Sequence, residues 1–244
     1  MLKDEILLLI ILFFIYSLMG WIWECIYESI LNKKLLNRGF LVGPYIPIYG
    51  FAGLIYFLLL SDYRLDSIFS IDGLKQFLVG SIVATMIEYV TSYILERFLN
   101  ARWWDYSNYP LNLNGRVCLI ASAFWGIVTV IIINIINPFL LVGIGNLSRD
   151  IKLIYASSMV TMFTIDFFVT VNSILDLNSR LRLIISLESI KNIGNYKDKL
   201  YKLANPFTER IIESFPEMKF NSEKMQSALS KLKGFKHRNK HNKE

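Results

Sequence analysis

Four stretches of this chain run almost without charge: Ile6–Tyr16, Ile46–Leu60, Val117–Ile136 and Leu153–Val171. Runs of this kind match the ~20 apolar residues that a helix needs to cross a hydrocarbon core ~30 Å thick. An apolar excess by itself (54% of 244 residues are hydrophobic) also fits a large soluble core, so the blocky arrangement decides. Charged residues make up 19%, below the roughly 25% usual for soluble domains. The expected class is therefore all-α: a polytopic integral membrane protein of about five transmembrane helices, with a basic, partly helical cytoplasmic tail.

The net charge of +6 is unevenly placed. Residues 1–176, the expected transmembrane domain, hold 11 Lys/Arg against 13 Asp/Glu; residues 177–244, the tail, hold 15 against 7. A basic segment directly after a span reads as a positive-inside anchor beside anionic headgroups rather than a nucleic-acid surface. Cys25 and Cys118 make no disulfide framework or zinc spacing. Both histidines, His237 and His241, sit in the terminal basic run, so no metal site and no cofactor is expected within the membrane. The first residues lack a basic n-region, and no small-residue cleavage site follows them, which reads as a retained first helix.

The spans are expected at about Glu5–Leu31, Pro47–Leu60, Leu74–Phe98, Val117–Ile136 and Leu153–Leu175. The second is short, and Gly43–Pro47 before it suits a broken or re-entrant segment. Loop 32–45 carries Lys33, Lys34 and Arg38 with no acid, and loop 97–116 carries Arg97, Arg102 and Arg116 against Asp105. Loop 61–73 is acidic (Asp62, Asp66, Asp72 against Arg64), and loop 137–152 is nearly neutral. This parity predicts an outside N-terminus and a cytoplasmic C-terminus. The tail opens with Leu181, Ile184, Ile185, Ile190 and Ile193 at helical spacing among charges. Pro206 and Pro216 interrupt it, and a short helix is expected over about Ser222–Leu232.

Ionisable groups at the centre of a span cost ~2.5–3.5 kcal/mol each on insertion scales. Glu24 lies nine residues before Lys33 and Glu88 nine before Arg97, each ~13 Å from its basic anchor. Asp166 is an intramembrane acid, fourteen residues from both Lys152 and Arg180. Glu24 and Glu28 share a helix face, with Gly20 one turn before; Glu88, Thr91, Ser92 and Glu96 form a second polar stripe, and Asp166, Thr170 and Ser173 a third. One reading is a cation, proton or polar-substrate pathway. The other is interhelical glue, with the carboxylates held by Arg38, Arg102 or Arg116 or simply protonated. The candidate polar cluster is Glu24, Glu28, Arg38, Glu88, Glu96, Arg102, Asp105 and Arg116, facing the cytoplasm.

Several motifs stand in order along residues 10–140: Glu24; Asn37-Arg38-Gly39-Phe40-Leu41 with Gly43-Pro44 and Pro47-Ile48-Tyr49-Gly50; Glu88-Tyr89 with Thr91-Ser92; Leu95-Glu96; Arg102-Trp103-Trp104-Asp105-Tyr106-Ser107; and Asn114-Gly115-Arg116. On these the chain resembles the bacterial ABC-transporter permease family of CmpB-like, type IV label. The resemblance implies a membrane component of a transport system. No Gly-x-x-x-x-Gly-Lys-Ser/Thr phosphate loop occurs, so the nucleotide-binding ATPase would be a separate subunit. Loops 32–45 and 99–116 are the candidates for docking it, and a small span count makes a homodimer plausible. Two other classes stay open. One is a membrane-embedded enzyme acting on lipid or isoprenoid phosphates, limited to carboxylate chemistry by the absence of intramembrane His. The other is a non-transporting scaffold or regulator.

Overall fold

The computed structural model describes residues 2–60, 72–188, 219–220 and 222–230, together with 210 and 214. Most of the acidic 61–73 loop, Ile190, Ile193, Pro206, Pro216 and the terminal basic run lie outside the described residues. The order is α1 (Leu2–Asn32), α2 (Pro47–Leu60), α3 (Gly73–Leu99), β1 (Ala101–Arg102), β2 (Asn112–Leu113), β3 (Val117–Cys118), α4 (Leu119–Ile131), a π-helical turn (Ile132–Ile136), α5 (Asn137–Gly145), α6 (Arg149–Glu188) and β4 (Lys219–Phe220). Among the described residues, four helical stretches are long and apolar enough to cross a membrane: Lys3–Asn32, Gly73–Phe98, Leu119–Gly145 and Arg149–Leu183. α2, at 14 residues, covers only ~21 Å.

What precedes α2 explains its length. After Asn32 the chain turns back and climbs α1 along one face, a helical turn at a time. Leu36 N–H donates to Ser29 Oγ (3.0 Å), Arg38 N–H to Cys25 Sγ (3.4 Å), Trp21 Nε1–H to Asn37 Oδ1 (2.8 Å), and Ile46 N–H to the Ser17 carbonyl (3.0 Å). α2 then continues in the same direction, with Gly50 against Phe13 and Ser17, Gly53 against Tyr16, and Phe57 packed among Leu7, Ile11 and Leu12. The path from Ser29 to Leu7 is ~33 Å of helix, so the non-helical segment and α2 together run the full length of a bilayer core. Non-helical backbone survives at that depth only when its polar groups find partners inside the protein. Here Ser29 Oγ, Cys25 Sγ and the Ser17 carbonyl of α1 accept from the segment's N–H groups. Gly43–Pro47 is thus the end of a non-helical stretch laid along α1, leading into α2 at Pro47.

The fourth helical stretch differs from its expected bounds, because it does not stop at Ile136. Pro138 has no N–H to give and crowds the preceding turn. The wider π turn at Ile132–Ile136 accommodates it, and the chain continues helically to Gly145. Only 146–148 remain as a loop where 137–152 is expected to be one. Asn137, 2% exposed, accepts a 2.6 Å hydrogen bond from Tyr16 of α1. α3 and α4 cross closely at small residues, with Gly80 against Thr129 and Gly126 against Ser81 and Phe77, and Thr85 donates to Ser122 Oγ at 2.6 Å.

The chain forms two compact units, Met1–Tyr93 with Asp105–Asp166, and Ile94–Trp104 with Phe167–Glu244. The first contains the core just described, and its α1 and α6 start together, Arg149 pairing with Asp4 at 3.3 Å. In the second, β1 pairs antiparallel with β4 (Ala101 opposite Phe220), and Ala101, Trp103, Leu177, Leu181, Met225 and Leu229 are buried. The expected tail helix is present over 223–230, and α6 carries the amphipathic pattern helically to Glu188.

Candidate functional site

The climbing segment delivers Arg38 to α1. Its guanidinium, 9% exposed, lies 3.3 Å from Glu28 Oε1 and 3.9 Å from Glu24 Oε2. The i, i+4 spacing of the two acids puts both within reach of one planar fork. The other Glu24 oxygen accepts a 2.5 Å hydrogen bond from Tyr49 in the first turn of α2. Gly20, one turn before Glu24, makes room for the Tyr49 ring, which packs on Trp125 with centroids 5.3 Å apart.

Glu88 of α3 has its own tyrosine. Tyr106 donates to Glu88 Oε1 at 2.9 Å, while Glu88 Oε2 is buried with no hydrogen-bond partner among the described residues. Burial pushes the Tyr106 phenol well above its ordinary pKa, and the charge of Glu88, followed by that of Glu24, raises it further. The phenol therefore stays protonated and donating, and both carboxylates bear on the same buried spot.

A short hairpin holds Tyr106 there. β2 and β3 pair antiparallel, joined through Asn114 (φ +55°) and Gly115 (φ +68°), with Arg116 N–H closing on the Leu113 carbonyl at 3.0 Å. Two consecutive positive φ values define a type I′ turn, which Asn-Gly favours. Tyr106 N–H donates to the Gly115 carbonyl at 2.8 Å, and Asp105 Oδ1 accepts from Ser107 N–H (3.0 Å) and Ser107 Oγ (2.5 Å). A β-carbon at Gly115 would overlap Ser107 Oγ and approach Asp105 Oδ1 to 2.8 Å. Gly115→Ala is accordingly expected to lose about 1–2 kcal/mol from left-handed strain alone, read as a lowered melting temperature in detergent. An unchanged melt would mean that the turn does not hold the hairpin.

The expected cluster residues divide as follows. Glu24, Glu28 and Arg38 meet directly, and Glu88 joins Glu24 around Tyr106. Asp105 shapes the turn. Arg116 donates to Ser92 Oγ (3.2 Å) and lies 5.7 and 5.6 Å from the Tyr89 and Tyr93 ring centres, a cation–π arrangement. Arg102 and Glu96 pair at 3.1 Å within the second unit. Asp166 accepts three hydrogen bonds from the climbing segment: Val42 N–H (2.8 Å), Gly43 N–H (2.7 Å) and Tyr45 Oη–H (2.8 Å). No group of three or more His, Cys, Asp or Glu able to hold a metal occurs among the described residues.

Tyr45, Tyr49 and Tyr106 are the carboxylate-binding side chains that the sequence reading passed over. Tyr49 and Tyr106 stand inside the quoted motifs and Tyr45 between two of them, but their reach to a carboxylate 18 to 121 residues away leaves no periodic trace. The family profile described as Putative ABC-transporter type IV matches residues 11–171, which contain α1 from its third turn, the climbing segment, both carboxylate–tyrosine pairs and Asp166. The chain belongs to this family. Its match extends beyond the 10–140 resemblance to take in the Asp166 contact in α6. No curated protein and no solved structure matches the chain.

Proposed function

We propose that the chain is the membrane permease subunit of a transport system, and that its pathway passes the carboxylates of α1 and α3. The observation that carries this reading is an imbalance of charge at span depth. Glu24 and Glu28 share Arg38, Glu24 and Glu88 both bear on Tyr106, and the second oxygen of Glu88 is buried without a hydrogen-bond partner among the described residues. Three ionised carboxylates against one guanidinium would leave two uncompensated charges in a low-dielectric site, a state relieved by a proton, a cation or a cationic substrate group. Discontinuous crossings are where membrane transporters place such sites, and the climbing segment that brings Arg38 here, taken with α2, reads as one such crossing. The orientation is N-terminus outside and C-terminus cytoplasmic, as the loop charges favour.

The chain's family points to an ATPase partner on the cytoplasmic side. Most of the first expected docking loop is folded along α1, leaving Lys33, Lys34 and Leu35 exposed at its turn. Purification of the intact chain in mild detergent is expected to bring along a subunit with a phosphate-loop ATPase. In the reconstituted complex, Glu88→Gln should lower transport-coupled ATP hydrolysis about tenfold, equivalent to ~1.4 kcal/mol. A chain that purifies alone and hydrolyses lipid phosphates would replace this reading with the enzyme. Full coupling in the Glu88→Gln complex would keep the permease and remove the site.

A further inference from the structure

The tip of the hairpin, residues 107–114, reads Ser-Asn-Tyr-Pro-Leu-Asn-Leu-Asn and carries no charge. Its apolar side chains point outward: Tyr109 is 48% exposed, Leu111 76% and Leu113 56%. Its backbone, by contrast, is well supplied from within. Asn112 Nδ2 donates to the carbonyls of Ser107 (3.3 Å) and Tyr109 (2.8 Å), its Oδ1 accepts from Gly115 N–H (3.0 Å), and Tyr109 N–H donates to the Tyr106 carbonyl (2.9 Å). Apolar side chains out and backbone groups satisfied inward is the arrangement that a lipid environment selects.

The tip is also joined to a surface that faces lipid. Leu119, the first residue of α4, donates its N–H to the Leu111 carbonyl at 3.2 Å, so Leu111 sits at the head of that helix. From there Ile120, Phe124, Ile127 and Ile131 form one exposed apolar strip at heptad spacing down a membrane-length helix. Beside the tip, Asn114 Nδ2 donates to Tyr89 Oη (3.1 Å), and Arg116 lies by the Tyr89 and Tyr93 rings, a pairing of aromatic and cation suited to headgroup level.

We propose that the 107–114 tip is seated in the bilayer interface, with Leu111 and Leu113 among the first acyl carbons, and anchors the end of α4 and the Tyr106–Glu88 contact against the membrane. The occupant of this surface is lipid, continuous with the strip on α4; the proposal does not rest on the permease reading. The test is a nitroxide at Leu111→Cys in the full chain, in a Cys25→Ser, Cys118→Ala background, reconstituted in phosphatidylethanolamine–phosphatidylglycerol nanodiscs. Collision with oxygen is expected to exceed collision with a water-soluble nickel chelate at Leu111, with the order reversed at a Lys34→Cys control. Dominant nickel collision would put the tip in water and overturn the proposal. Weak collision with both would mean a protein covers it, overturning the lipid assignment in favour of a docking surface. Tyr109→Cys serves as the second label site where Leu111→Cys does not elute as a single species.

Discussion

Asp166→Ala is expected to be the most damaging single substitution in the first unit. It removes one acceptor group and orphans three donors: two consecutive backbone N–H groups, Val42 and Gly43, and the Tyr45 hydroxyl. A buried donor left without an acceptor costs about 1–3 kcal/mol. Polar contacts between membrane helices average nearer ~0.6 kcal/mol, and even that figure taken three times gives ~2 kcal/mol. Asp166→Asn keeps an acceptor for one side of the contact and turns an amide N–H₂ toward the other, so an intermediate loss is expected. Melting followed by size-exclusion chromatography in detergent measures both. An alanine variant as stable as the parent would mean that the segment is held by α1 alone.

Gly20→Val is the second large effect. A β-carbon at Gly20 would overlap the Tyr49 ring itself, and that ring is wedged against Trp125, so it has nowhere simple to retreat. Overpacking of a filled site costs typically ~1–3 kcal/mol, and here the displaced ring also carries the hydroxyl that binds Glu24. The variant is expected to lose stability and, in the reconstituted complex, to lose coupling through the displaced Tyr49–Glu24 contact. Tyr49→Phe separates the two contributions, since it keeps the ring and removes only the hydrogen bond. If Gly20→Val behaves like the parent in both measurements, α1 and α2 are not in the close register described.

The span positions were legible because apolar runs and loop charge are one-dimensional signals. α2 was bounded at Pro47–Leu60 from its composition, and α1 and α3 within a few residues. The extension through Pro138 was not legible, because a proline normally ends a helix and the π turn that tolerates it has no sequence mark of its own. Depth, side and i, i+4 spacing put Glu24, Glu28 and Arg38 in one expected cluster, but left open which of Arg38, Arg102 and Arg116 meets which acid. The tyrosines were not legible, since each contact joins distant elements through a turn whose path only three dimensions define. Asp166 was singled out as an intramembrane acid, but its partners are mainly backbone groups, which no residue type advertises.

The way the second crossing is held has a consequence for how the protein is made. A helix satisfies its own backbone and can enter the bilayer as soon as it leaves the ribosome, but residues 36–46 donate hydrogen bonds to other parts of the chain. Its rungs on α1 exist early; its contact with Asp166 lies 124 residues downstream of Val42. The climbing segment therefore reaches its final form only after α6 is synthesised and docked. Until then an unfinished strand of polar backbone waits beside α1, and truncation anywhere before α6 should leave a chain that inserts but does not mature.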